Sequence, residues 1–256
     1  MKNLKVPITY QIIIKPHESM FSKITKQYDV TIINLGIFRS NKYVTTIVRC
    51  YFKNPGSAER LLSTLKSHPN IIQIRVLESG GRSLSLMVMK NECNFYEKIL
   101  GNDIPVLMPY LEMKGLKKLF IVPLDVEINS IVNKVSHHGK ILSVKQIPFR
   151  EVFYRMYGYI NALDVLSMLS NKQLNIINLA YVKGYYEWPR EISITELAAL
   201  MNLSKSTVCE HVHKAESKII KHLLNNILPY SRYHLKIHVH DLNSLLTSKK
   251  HLIKKR

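Results

Sequence analysis

Over the first 150 positions, apolar residues come in short alternating or β-branched runs, the period-2 signature of strands. Residues 4–15 and 29–38 are two such runs, and residues 42–52 alternate Val, Thr, Ile and Tyr. Asn54-Pro55-Gly56-Ser57 then turns the chain into a helix whose Leu61, Leu62 and Leu65 face inward, and His68-Pro69-Asn70 ends it. Strands at 71–78 and 83–89 flank a tight turn at Gly80-Gly81. A short helix is expected at 94–100, stopped by Gly101-Asn102-Asp103, and a strand at 104–112. Residues 42–112 thus predict the β-α-β-β-α-β order of a ferredoxin-like split unit. The pattern continues as strand 116–122, helix 124–137 and strand 140–147. Residues 150–157 are aromatic and are expected to finish the sheet, with a connecting helix at 161–169.

Beyond residue 170 the period lengthens. Ser193-Ile194-Thr195-Glu196 has the S-x-x-E form of a capping box, in which the Ser and Glu side chains satisfy two amides at a helix start. Leu197, Ala198 and Met201 follow at helical spacing. Asn202-Leu203-Ser204 breaks that helix, with Leu203 placed to plug the turn and Ser204 an N-cap for the next helix. There Val208, Val212, Ala215 and Ile219 make one buried stripe. At about 100° per residue, Ser206, Glu210, His213 and Ser217 lie opposite it, with Thr207, Cys209 and Lys214 on the flanks and Lys205 at the start. This is the layout of a helix-turn-helix, whose second helix meets base edges with its N-terminal residues. An ordinary amphipathic bundle helix shares the stripe but does not require two caps and a turn at these spacings.

Particular residues sharpen this reading: Leu169-Ser170…Gln173, Ala180-Tyr181, Gly184-Tyr185-Tyr186, Trp188-Pro189-Arg190, Glu196-Leu197-Ala198 and Leu203-Ser204-Lys205-Ser206-Thr207-Val208…Glu210-His211. Together they resemble the helix-turn-helix of archaeal bacterio-opsin activator (Bat-type, HTH-10) regulators, a module similar to DNA-binding region four of bacterial sigma factors. The resemblance covers about a fifth of the chain. It implies sequence-specific binding of double-stranded DNA and regulation of transcription. Cys209 and His213 depart from the Ser and Arg expected there, which leaves promoter choice open. The upstream β/α order resembles ligand-sensing modules of the ACT type in topology alone.

Net charge adds a polyanionic partner, nucleic acid ahead of an anionic membrane surface. The 256-residue chain carries a formal +19, but residues 1–150 hold 22 Lys+Arg against 10 Asp+Glu and residues 151–256 hold 15 against 8. Basicity therefore does not by itself locate the DNA site. Cys50, Cys93 and Cys209 are widely spaced and odd in number, which suits a reducing cytoplasm without a disulfide framework. Ile12-Ile13-Ile14 is too short for a signal peptide, and no apolar run approaches the ~18 residues of a membrane span. A cytoplasmic protein without membrane contact is expected.

Other chemistry is weak. Cys209 and His213 stand at i, i+4, but no second cysteine lies near and no Cys-x-x-Cys occurs, so no metal is expected. There is no Gly-rich phosphate loop, Gly-x-Ser-x-Gly elbow or His-Glu-x-x-His, hence no catalytic residue and no cofactor. Trp188, Tyr181, Tyr185 and Tyr186 could stack on nucleic acid, though pinning their loop against the core suits them better. Arg190 suits a phosphate contact or an ion pair with Glu187 or Glu191. The terminal Lys249-Lys250…Lys254-Lys255-Arg256 suits either phosphate contacts or a frayed, solvated end.

The expected fold class is α+β, with an N-terminal ferredoxin-like or ACT-like domain followed by an all-α helix-turn-helix domain. The expected segments are a sensor or dimerisation domain at 1–150, a linker helix at 151–169, the DNA-binding domain at 170–224 and a basic tail at 225–256. Expected DNA contacts are Lys205, Ser206, Thr207, Glu210, His213, Lys214 and Arg190, with Lys218 a weaker phosphate candidate and 205–223 the recognition helix. A homodimer is expected. A small-molecule effector at the first domain, and contact with RNA polymerase or basal factors, are further candidates. The alternative reading makes the chain a metabolite-binding or docking regulator whose helix-turn-helix meets the transcription machinery rather than DNA.

Overall fold

A computed structural model describes residues 8–40, 43–54, 56–91, 104–123 and 126–227. The helix expected at 94–100 and the tail beyond 227 lie outside the described residues. The chain divides into two compact units, Met1–Met168 and Leu169–Arg256.

The first unit is built on one eight-stranded sheet. Its strands are β1 (Thr9–Pro16), β2 (Val30–Ser40), β3 (Tyr43–Phe52), β4 (Ile71–Gly80), β5 (Ser83–Asn91), β6 (Val106–Met113), β7 (Leu116–Ile121) and β8 (Gly139–Ile147). They lie in the order β4-β5-β3-β2-β6-β7-β1-β8, and every ladder is antiparallel. The helices are α1 (Met20–Gln27), α2 (Ser57–Lys66), α3 (Ile128–Ser136) and α4 (Phe149–Met168).

The α+β class stands, but 42–112 is not a four-stranded unit by itself. In a ferredoxin-like order β6 would lie beside β3, whereas here β2 separates them. The reason is local: β2 and β3 are separated by only two residues in the chain and pair from Val30↔Phe52 to Ser40↔Tyr43, which occupies that edge of β3. The arrangement has an internal symmetry. β3 and β4, joined through α2, flank β5, and β7 and β8, joined through α3, flank β1. The two halves meet along β2–β6, where Ile32, Ile33 and Asn34 pair with Glu112, Leu111 and Tyr110.

Alternation along the strands sends side chains to two faces. Ile12, Ile14, Leu119 and Ile121 pack with Ile131 and Val135 of α3. Phe21 and Ile24 of α1 and Leu61 and Leu65 of α2 cover Ile32, Val48, Leu84 and Leu86. Helix α1 escapes a reading by hydrophobic period because it is only eight residues long, but Ser19 caps it by accepting from the Ser22 amide at 3.3 Å. Where the halves meet, Glu112 is fully buried. It accepts from Ser22 Oγ at 2.5 Å and Asn34 Nδ2 at 3.2 Å, with Lys117 Nζ at 3.6 Å.

Residues 150–157 do not finish the sheet. They belong to α4, whose Val152 and Met156 pack on Phe120 and Ile147. The aromatic composition favours strand, yet Val152 and Met156 bury at helical spacing, and that contact decides the conformation. The stretch expected to link the halves of the chain thus contributes to the first unit's core. The end of α4 is held by hydrogen bonds from Arg49 Nε (3.1 Å) and the Tyr51 hydroxyl (2.8 Å) to Asp164, and from Arg82 to the Leu166 carbonyl. Among the described residues no helix is long and apolar enough to cross a membrane.

Candidate nucleic-acid interface

The second unit contains α5 (Asn171–Val182), α6 (Ile194–Leu200) and α7 (Lys205–His222), followed by a π-turn at Leu223–Ile227. Each helix start is capped by a serine. Ser170 and Gln173 form a capping box, with amide-to-side-chain bonds of 3.0 and 3.2 Å. Ser193 and Glu196 form another, at 2.7 and 3.2 Å. The Ser193 amide holds the Glu196 carboxyl below its ordinary pKa. Ser204 accepts from the Thr207 amide at 3.1 Å.

Small and branched side chains form the core: Ile176 and Ala180 from α5, Leu197 and Ala198 from α6, and Val208 and Val212 from α7. Ala215 is also buried, completing three members of the expected stripe, and Ile219 is half-buried. Asn202, at φ 51°, turns the chain between α6 and α7, and the Leu203 amide donates to the Ala198 carbonyl at 3.1 Å. Leu203 does not plug the turn: its side chain is exposed, and the backbone bond closes the turn without it.

The outward side of α7 carries the expected groove set. Lys205, Ser206, Glu210, His213 and Lys214 are exposed along it. Thr207 is half-buried, and its hydroxyl lies 2.7 Å from Ser204 Oγ, within the cap. Glu210 and Lys214 form an i, i+4 ion pair, whose hydrogen bond holds the Glu210 carboxyl below its ordinary pKa. Such a pair could be foreseen from spacing. It partly neutralises the acid at the centre of the face. Lys218 donates to Gln173 Oε1 at 3.0 Å, which ties it to the start of α5.

The loop from α5 to α6 differs from expectation. Gly184, at φ +71°, accepts at its carbonyl from the Glu187 amide (3.2 Å) and the Glu191 amide (3.1 Å). A Cβ there would collide with the Glu191 side chain, so only glycine fits. Because the backbone closes this loop, its tip residues need not insert into the core. Tyr185 does pack on the core, but Trp188 is 96% exposed and Tyr181 69%. The Tyr186 hydroxyl donates to Glu216 at 2.9 Å; burial first, then that bond, raises its pKa. Arg190 is exposed at its place in the loop, with its guanidinium 4.5 Å above the Tyr185 ring. The exposure of Trp188 was not legible from its residue type, which usually signals burial. Among the described residues no group of three or more His, Cys, Asp or Glu is placed to hold a metal ion.

Two capped helices crossing at small residues, joined by a left-handed turn, with a polar face at the start of the second, match a known family over residues 169–221. These residues are an HTH DNA binding domain of the HTH_10 family. Over 57 residues the chain is 37% identical to the Transcriptional regulator NarO of Haloferax volcanii, covering 22% of this chain and 27% of that protein. A Putative transcriptional regulator of the same organism is 38% identical over 60 residues, 23% of this chain and 10% of that one. The Bacterioopsin transcriptional activator of Halobacterium salinarum is 38% identical over 52 residues, 20% of this chain and 8% of that one. The chain thus matches less than a third of the length of these curated relatives. No solved structure matches the chain.

Proposed function

We propose that the protein is a sequence-specific, DNA-binding regulator of transcription. The carrying observation is the exposed polar start of α7 beside a cap and turn of helix-turn-helix form. Lys205, Ser206, Glu210 and His213 meet base edges in the major groove, the reach expected of the first turns of a recognition helix. Glu210, steadied by Lys214, accepts from a cytosine amino group. Arg190 and Lys214 add phosphate contacts, which position without specifying. Two copies bind a two-fold operator, and the sheet unit regulates that binding, with a small molecule as its candidate effector.

The reading is tested by fluorescence anisotropy on the intact protein, with its own upstream duplex and a scrambled one. Preference for the upstream duplex by tenfold or more, about 1.4 kcal/mol, is expected to vanish in Ser206→Ala/Glu210→Ala while weak general binding persists. Equal binding to both duplexes, unchanged in the variant, would overturn it. A second reading, docking onto RNA polymerase or a basal factor, draws support from the exposed Trp188 and Tyr181. It would lead if polymerase binding is lost in Trp188→Ala while no duplex is preferred.

A further inference from the structure

Helix α4 is patterned inside out. Only four of its twenty residues are charged, Arg150, Glu151, Arg155 and Asp164, in a chain with 37 Lys+Arg. Three of these point to partners in the first unit or to each other. Arg155 donates to Gln11 Oε1 and to Glu151 Oε2, both at 2.9 Å, and Asp164 accepts from Arg49 and Tyr51. The solvent side instead carries large rings. Phe153 is 46% exposed, Tyr154 77% and Tyr157 54%. Phe149 and Phe153 meet edge to face at 5.0 Å, and Phe153 and Tyr157 stack at 6.0 Å. A helix apolar on all sides is ordinarily covered on all sides.

At about 100° per residue, Tyr154, Gly158, Asn161 and Val165 lie opposite the buried Val152 and Met156. Their spacing of four, three and four residues is that of a coiled-coil seam. A Cβ at Gly158 would meet nothing within 4 Å, so a second helix has room to approach. Asn161 stands mid-seam, and a lone Asn there fixes register by pairing with its symmetric counterpart, at a cost in stability.

We propose that this stripe is the dimer seam, where α4 packs in register and parallel against α4 of a second copy. This rests on the reading of the chain as a two-fold DNA-binding regulator. Two facts select a second copy as the occupant. Between Tyr154 and Val165 the stripe holds no charged residue, and only Arg150, in the first turn, shares its side, so two strongly basic molecules can close there with like charges confined to one end. The exposed parts of Tyr154, Tyr157 and Phe153, taken from rings of about 150–250 Å² each and supplied by both copies, come to roughly 500–900 Å², the larger part of the roughly 1,000 Å² that a specific interface needs. The last residue of α4, Met168, is followed directly by the DNA-binding unit, so a seam on α4 tethers two reading heads together.

Light scattering on the full chain at micromolar concentration is expected to give the mass of two chains. Tyr154→Glu/Tyr157→Glu sets four carboxylates in the seam and is expected to weaken association by about thirtyfold or more. Independently, Asn161→Cys in a Cys209→Ser background is expected to oxidise to a linked dimer, because the two residues meet at the two-fold. A monomeric intact protein overturns the proposal. So does a dimer that the glutamates leave unchanged and that Asn161→Cys fails to cross-link. A cross-linked dimer that prefers no duplex keeps the seam and loses the regulator, whereas a monomeric glutamate variant that still binds a half-site keeps both.

Discussion

At the scale of single residues, the described part of the second unit turns at two positions held at positive φ, Gly184 and Asn202. Gly184 combines a positive φ with a Cβ position occupied by Glu191, and its carbonyl holds both ends of the aromatic loop. Gly184→Ala is expected to cost about 1–3 kcal/mol. In hydrogen exchange the Glu187 and Glu191 amides should then lose protection ahead of the α7 core; unchanged protection would mean that the loop is held by its side chains. Asn202 takes its positive φ more cheaply, since asparagine enters that region more readily than most residues. The exposed side of α7 was legible residue by residue because helical spacing alone separates Val208, Val212 and Ala215 from Ser206, Glu210 and His213. Trp188 was not. Its solvent position follows from a backbone closure at Gly184 that composition does not announce.

At the scale of elements, each helix of the DNA-binding unit is fixed at its start by side-chain caps, and α6, with seven residues, depends on its cap most. The Glu196 carboxylate accepts from the Ser193 amide, and this holds its pKa below the ordinary value. A group whose folded pKa is depressed lends stability above its unfolded pKa and loses that contribution as pH falls through the folded one. Carboxyl NMR should therefore place the Glu196 midpoint below the ~4.3 of a free glutamate. The protein should also lose less stability on acidification as Glu196→Gln, which keeps the box but does not titrate. A midpoint at or above the free value would mean that the box is open in solution. Strand β3 and the β4–β5 hairpin were readable from alternation and turn residues. The start of α4 reads as strand because Phe149, Phe153, Tyr154 and Tyr157 have strand composition, and only the packing of Val152 and Met156 shows the helical period.

At the scale of the whole molecule, charge and recognition part company. Residues 1–150 hold the larger share of the positive charge, yet the residues proposed to face the groove lie in the HTH_10 domain. If the specific complex engages phosphates through that domain, Arg190→Ala should lower the slope of log K against log salt by about 1. Lys66→Ala, at the end of α2, should leave the slope unchanged; an equal effect of both would make the basic sheet unit part of the DNA contact. The sequence by itself determined the DNA-binding unit, because its caps, turn and stripe are local and each spacing is set by the geometry of one helix. It also determined the α+β class and most of the strands, whose period is again local. Only the tertiary structure decided the strand order. Alternation assigns each strand two faces but no neighbour, and β1 enters between β7 and β8 from more than 90 residues away. The tertiary structure likewise decided which side of α4 is buried, since a helix apolar all round carries no stripe to mark its inner face, and the sheet alone chose Val152 and Met156.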